Sequence, residues 1–86
     1  MYKVVFTRQA QKDAKGLSKS HVCKNAETIL EILKEDPFKA YPPYIRLLGD
    51  LSGAFSRRIN IQHRIVYQVY QKEKIVKVIR MWTRYE

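Results

Sequence analysis

Residues Leu51–Tyr67 read LSGAFSRRINIQHRIVY, and the fold turns on how they are read. Ser52–Gly53 is a turn signal. Two short runs follow with apolar residues at alternate positions, joined near Asn60–Gln62. Alternation of this kind marks strands, and two such runs around a polar break predict a β-hairpin. The hairpin is basic. It carries Arg57, Arg58 and Arg64, three of the chain's seven arginines, and His63, one of its two histidines.

Working outward, Gln71–Lys74 is a polar turn and Ile75–Thr83 a last strand. Upstream, Tyr44–Leu48 is a short strand turned by Gly49–Asp50, and Phe38–Pro43 is a loop stiffened by Pro42 and Pro43. Tyr2–Phe6 is rich in β-branched and aromatic residues and predicts a strand. Thr7 is placed to cap a helix running to about Leu17, with Ala10, Ala14 and Leu17 on one face. Gly16 weakens its end. Ser18 or Ser20 starts a second helix, in which Val22, Ala26, Ile29, Leu30 and Leu33 recur at helical spacing and Ile32 widens the stripe. Lys24, Glu27, Glu31, Lys34 and Glu35 fill its outer face, and Asp36–Pro37 stops it. The helices are expected as an antiparallel pair with one shared apolar side. The order β-α-α-β-β-β-β predicts an α+β fold, with two N-terminal helices packed on one face of a small, largely antiparallel sheet. The length suits one domain over residues 1–86.

Composition narrows the function. An apolar fraction of 45% argues against disorder. No apolar run approaches the roughly 20 residues of a membrane-spanning helix. MYKVVF is not an export leader. A lone Cys23 fits a reducing cytoplasm and a role as a small buried hydrophobe. No cysteine–histidine cluster points to a metal, and no glycine-rich loop to a nucleotide cofactor. His21, at a helix start, reads as structural or solvated.

The net charge is +9, and it is unevenly spread. Residues 1–43 carry +3, nearly all of their basic groups being lysine; residues 44–86 carry +6, with six arginines among nine basic residues. Arginine clustered on strands suits forked contacts with phosphate. Nucleic acid or an acidic protein is the implied partner. A sheet covered on one face leaves the other open. Ser56, Arg58 and Asn60 fall on one side of their strand, Phe55, Ile59 and Ile61 on the other. Arg80, Trp82 and Arg84 share a side of the last strand. The arginines are therefore expected to converge on the open face, with Trp82 and Tyr85 at its edge. Arg57 shares the apolar side of its strand, which suggests an edge position or a structural ion pair.

LSGAFSRRINIQHRIVY, followed by IRMWTRYE at the C-terminus, resembles the YoeB/Txe toxins of bacterial toxin–antitoxin modules, within the RelE/ParE superfamily. The motifs cover about the last forty residues; the N-terminal strand and helices agree in length and order. The resemblance implies a microbial-ribonuclease-like fold. It implies metal-independent, ribosome-dependent endoribonuclease cleavage of messenger RNA, needing no cofactor, in the cytoplasm. It also implies neutralisation by a cognate acidic antitoxin, and family members form homodimers. In such a reaction the RNA's 2′-hydroxyl attacks the adjacent phosphate. That requires a base, an acid, and positive charge at the crowded phosphate.

Carried over by position, the resemblance makes Arg64 the stabiliser of the phosphorane charge and Arg58 a phosphate contact. It offers Arg46, Arg57 and Trp82 as further RNA-binding residues and Tyr85 as a residue that stacks on a base or orients the phosphate. Two positions depart from the pattern. A glutamate expected as general base is Ile45, and a histidine expected as general acid is Arg84. Neither residue moves protons readily near neutral pH. Three readings follow: a weak or inactive relative, engineered substitutions, or a RelE-like site in which Arg46, Arg84 and Tyr85 take over. His63 offers either a turn residue or a substitute proton donor, and Trp82 either core or stacking platform. The alternative functions are an inactive antitoxin-binding and co-repressor module, and a ParE-like gyrase poison, against which the terminal tyrosine motif argues.

Overall fold

The computed structural model describes residues 1–17, 23–40, 43–47, 53–59 and 63–82. Seven elements lie within them. Strand β1 (Lys3–Phe6) is followed by α1 (Arg8–Leu17) and α2 (Cys23–Glu35), then β2 (Tyr44–Arg46), β3 (Phe55–Arg58), β4 (Arg64–Tyr70) and β5 (Ile75–Trp82). The strands form one sheet in the order β1-β5-β4-β3-β2. The three pairings from β2 to β5 are antiparallel, as a meander requires. β1 enters beside β5 in parallel, with Lys3 opposite Ile75 and Phe6 opposite Val78. The sheet is thus mixed. The chain crosses over between β1 and the meander through two helices, which is what a parallel pair needs.

Thr7 starts α1 as its sequence position suggests. Its hydroxyl accepts the Ala10 N–H at 3.0 Å, satisfying one of the free donors of the first turn. At the end of α2, Asp36 Oδ1 accepts the Phe38 N–H at 3.0 Å and turns the chain at Pro37. Both helices feed one core. Ala10 of α1 and Ala26, Ile29 and Leu33 of α2 pack with Phe55, Ile59, Ile65, Tyr67, Val76, Val78 and Met81 of the sheet. α1 lies mainly against β5 and α2 against β1. The sheet is therefore what unites the helices in one core. Leu47, Ala54 and Val66 form a second, smaller buried cluster, joined by Ile79.

The register decides which side chains share a face. Phe55 faces Tyr67 and Arg57 faces Ile65, all on the helix-covered side; Ser56 faces Val66 and Arg58 faces Arg64 on the other. Between β4 and β5 the register slips by one: Tyr67 is opposite Val78, but Val66 is opposite Arg80, so Ile79 is the extra residue. Such a bulge re-aims the side chains that follow it. Among the described residues no helix is long and apolar enough to cross a membrane.

Candidate nucleic-acid interface

Arg58 and Arg64 are direct cross-strand partners on the open face. Arg58 is exposed and Arg64 half-buried. Like charges set directly opposite one another destabilise a sheet. Ser56, buried beneath them, accepts a long contact of 3.4 Å from Arg64 Nη1. Arg80 joins the same face through the bulge, diagonal to Arg64. Trp82 pairs with Arg64 in the ladder. Three guanidinium-bearing positions thus converge on one patch of sheet, as expected for anion binding.

One of the expected RNA contacts, Arg57, lies elsewhere. Arg57 is 0% exposed, on the core side. Its Nε donates to the Tyr67 hydroxyl at 2.9 Å. Its Nη2 donates to the Pro37 carbonyl at 2.9 Å and the Lys39 carbonyl at 2.7 Å. The guanidinium also sits 4.8 Å from the Tyr44 ring centroid. A cation this enclosed ties the loop after α2 to β3 and β4; it does not meet RNA. The Tyr67 hydroxyl donates onward to the Pro37 carbonyl at 3.2 Å. Burial pushes the Tyr67 phenol up from its ordinary value, and the adjacent Arg57 opposes that only in part. Arg46 is exposed, but on the other side of its strand. It faces Phe55 in the ladder, on the helix-covered side, with its guanidinium 5.8 Å from the Phe55 ring centroid. The alternation of a three-residue strand separates it from Arg58 and Arg64.

Ile45 does belong to the open face. It is opposite Ser56 and 51% exposed. His63 directly precedes β4, and its carbonyl accepts the Ile59 N–H at 2.8 Å to close the hairpin. Arg84 and Tyr85 lie outside the described residues, as do the side chains of Trp82 and Cys23. Arg58 also stands at the rim of an open groove of about 550 Å³. Ile29, Ile32, Ile59, Lys39, Asn25 and Thr28 also line the groove.

Asp13 escaped the sequence reading altogether. Its Oδ2 accepts from Arg80 Nε at 2.9 Å and from the Met81 N–H at 3.0 Å. Burial alone would raise its pKa; the Met81 N–H, Gln9 and Arg80 outweigh this, and the carboxyl is held below its ordinary value of 3.8. The only hint in the sequence was an acidic residue on an otherwise basic helix.

The fold, the paired arginines and the hairpin motif now stand together. The family model of the YoeB-like toxin of bacterial type II toxin–antitoxin systems matches residues 6–85. The chain belongs to this family. Toxin YoeB of Streptomyces coelicolor is 32% identical over 76 residues, spanning 86% of this chain and 90% of the relative. The solved YoeB/ParE toxin from Agrobacterium tumefaciens superposes with a TM-score of 0.85 at 27% identity, over 96% of this chain and 99% of that one. YoeB in the YoeB–YefM complex from Staphylococcus aureus gives a TM-score of 0.80 at 25% identity, over 100% of this chain and 98% of that one. The S. aureus YoeB is also solved as a dimer. The YoeB-like assignment covers β1's end through the last strand, so the hairpin and its arginines sit inside the matched region.

Proposed function

We propose that this YoeB-like chain, acting as a single toxin domain in the cytoplasm, is a ribosome-dependent endoribonuclease that cuts messenger RNA and so halts translation. The observation that carries this is the Arg58–Arg64 pair. Two guanidinium-bearing residues paired across an open sheet face concentrate positive charge where a phosphate can dock. A phosphodiester whose 2′-hydroxyl attacks in line gathers negative charge on its equatorial oxygens. Arg64 is the residue to stabilise that charge, Arg58 to hold the chain beside it, and Tyr85 to orient the phosphate. Arg84, a fixed cation, adds charge but exchanges no proton near neutral pH.

Proton transfer is the weakened part. Ile45 occupies the open face where a base would act. Each missing acid or base typically costs about 10²–10⁴ in rate. The test is to incubate the protein with translating ribosomes and map message ends. Slow cleavage at the decoding site is expected, rising about 100-fold or more in Ile45→Glu/Arg84→His. An unchanged rate in the double variant would overturn the assignment of these positions. No cleavage by either protein would overturn the enzyme.

The same exposed isoleucine supports a second reading, a catalytically silent antitoxin-binding module. S. aureus YoeB is seen with YefM. Here the groove that Arg58 lines combines Ile29, Ile32 and Ile59 with Lys39, Asn25 and Thr28. That chemistry suits an acidic amphipathic segment from a cognate antitoxin. A homodimer, as in the S. aureus protein, belongs to the same proposal. Calorimetry against the neighbouring acidic gene product separates the readings when combined with the cleavage assay: tight binding without cleavage favours the module.

A further inference from the structure

Parallel pairing of β1 with β5 ends at Phe6 opposite Val78. Beyond it, two residues continue the ladder along the outer edge of β5. The Thr7 N–H donates to the Val78 carbonyl at 3.0 Å, and the Thr7 hydroxyl to the Ile79 carbonyl at 2.9 Å. Asp13 then takes the Met81 N–H. The Asp13 oxygen that holds this backbone group also holds Arg80 Nε. Arg80 is thus gripped from the α1 side, while the bulge at Ile79 puts it opposite Val66, on the face of Arg58 and Arg64. Diagonal neighbours across two strands lie about 7–8 Å apart, close to the spacing of successive phosphates along a nucleic-acid strand. The Arg80 side chain is 35% exposed and that of Asp13 13% exposed. The Asp13 side chain is therefore largely covered, while the Arg80 side chain keeps more contact with solvent.

We propose that Arg80 is a further RNA-binding residue of this site, and that Asp13 is the positioning residue that aims it. Its ligand is a phosphodiester of single-stranded RNA adjacent to the one held by Arg58 and Arg64. An arginine already oriented by one carboxylate loses little side-chain freedom when a phosphate arrives, so the contact strengthens binding without further ordering. The proposal rests on the message-binding reading above.

A plain structural ion pair between α1 and β5 is the competing account, and salt dependence separates the two. Each phosphate neutralised on a single strand contributes about −0.7 to the slope of log K against log salt. The full chain is titrated with a fluorescently labelled oligouridylate at several potassium chloride concentrations. Arg80→Gln should make the slope shallower by about 0.7, as Arg58→Gln does, whereas Arg80→Lys keeps the slope and loses affinity. Arg80→Gln should also weaken binding less in an Asp13→Asn background than in the wild type, because an unaimed guanidinium has less to lose. If Arg58→Gln changes the slope and Arg80→Gln does not, this proposal falls alone. If Arg80→Gln acts equally in both backgrounds, Asp13 has no positioning role. If the wild type shows no salt-dependent binding, the message-binding reading falls with it. Where Arg80→Gln lowers the melting temperature too far to assay, Arg80→Lys decides: an unchanged affinity overturns the contact.

Discussion

Arg57 and Arg58 are neighbours in sequence with opposite fates, and the difference is one step of strand alternation. Arg57 points into the core, where carbonyls and a tyrosine hydroxyl replace water around it. Arg57→Ala leaves those acceptors without their donor and opens a void. It should lower stability by about 3 kcal/mol, seen as a lower urea midpoint at unchanged slope. Arg58 is exposed opposite Arg64. Arg58→Gln removes one of two like charges set opposite each other and should weaken RNA binding while changing stability by less than about 1 kcal/mol. Thermal melts without and with oligonucleotide check both halves. Asp13 supplies a pH dependence. Its pKa is lowered in the folded chain, so its stabilising effect is present above the unfolded value near 3.8 and lost as pH falls through the lower folded value. Asp13→Asn should remove that part of the acid unfolding limb, below about pH 4, in a denaturation series against pH.

At the scale of elements, the edge of β5 is the most informative. β1 is too short to cover the strand, and Thr7 completes the task while also capping α1. One hydroxyl thus couples a helix start to the strand that leads toward Arg84 and Tyr85. Thr7→Val removes both bonds with little change in shape. It should cost about 1–2 kcal/mol, measured by thermal unfolding, and speed exchange of the Ala10 amide. The hairpin, the capping threonine and the amphipathic stripe of α2 were all legible in the sequence, because each follows from local periodicity or local hydrogen bonding. The parallel placement of β1 was not, since nothing local distinguishes an edge strand's direction. Nor was the bulge. Strict alternation from Val76 and Val78 would carry Arg80 toward the core, and only the slipped register returns it to the open face.

At the scale of the molecule, helices cover one side of the sheet and cations gather on the other. That division separates stability from binding. The apolar contacts of Leu33, Ile65, Tyr67 and Val78 hold the core. The open face, underlain among the described residues by Leu47, Ala54, Val66 and Ile79, carries the Arg58–Arg64 pair. The family relationship places this division in a YoeB-like toxin, with Ile45 exposed on the open face.

Taken alone, the sequence determined the α+β order, the basic hairpin and the family, because hydrophobic periodicity and a contiguous motif are properties of neighbours along the chain. It also marked Arg58 and Arg64 as partners of one face, since strand alternation is local. The tertiary structure alone decided that Arg57 is a core cation, that Arg46 stands exposed on the Phe55 side of the sheet, and that Asp13 meets Arg80. Those outcomes depend on burial, register and contacts between residues far apart in sequence, for which a one-residue shift reverses the face on which a side chain stands.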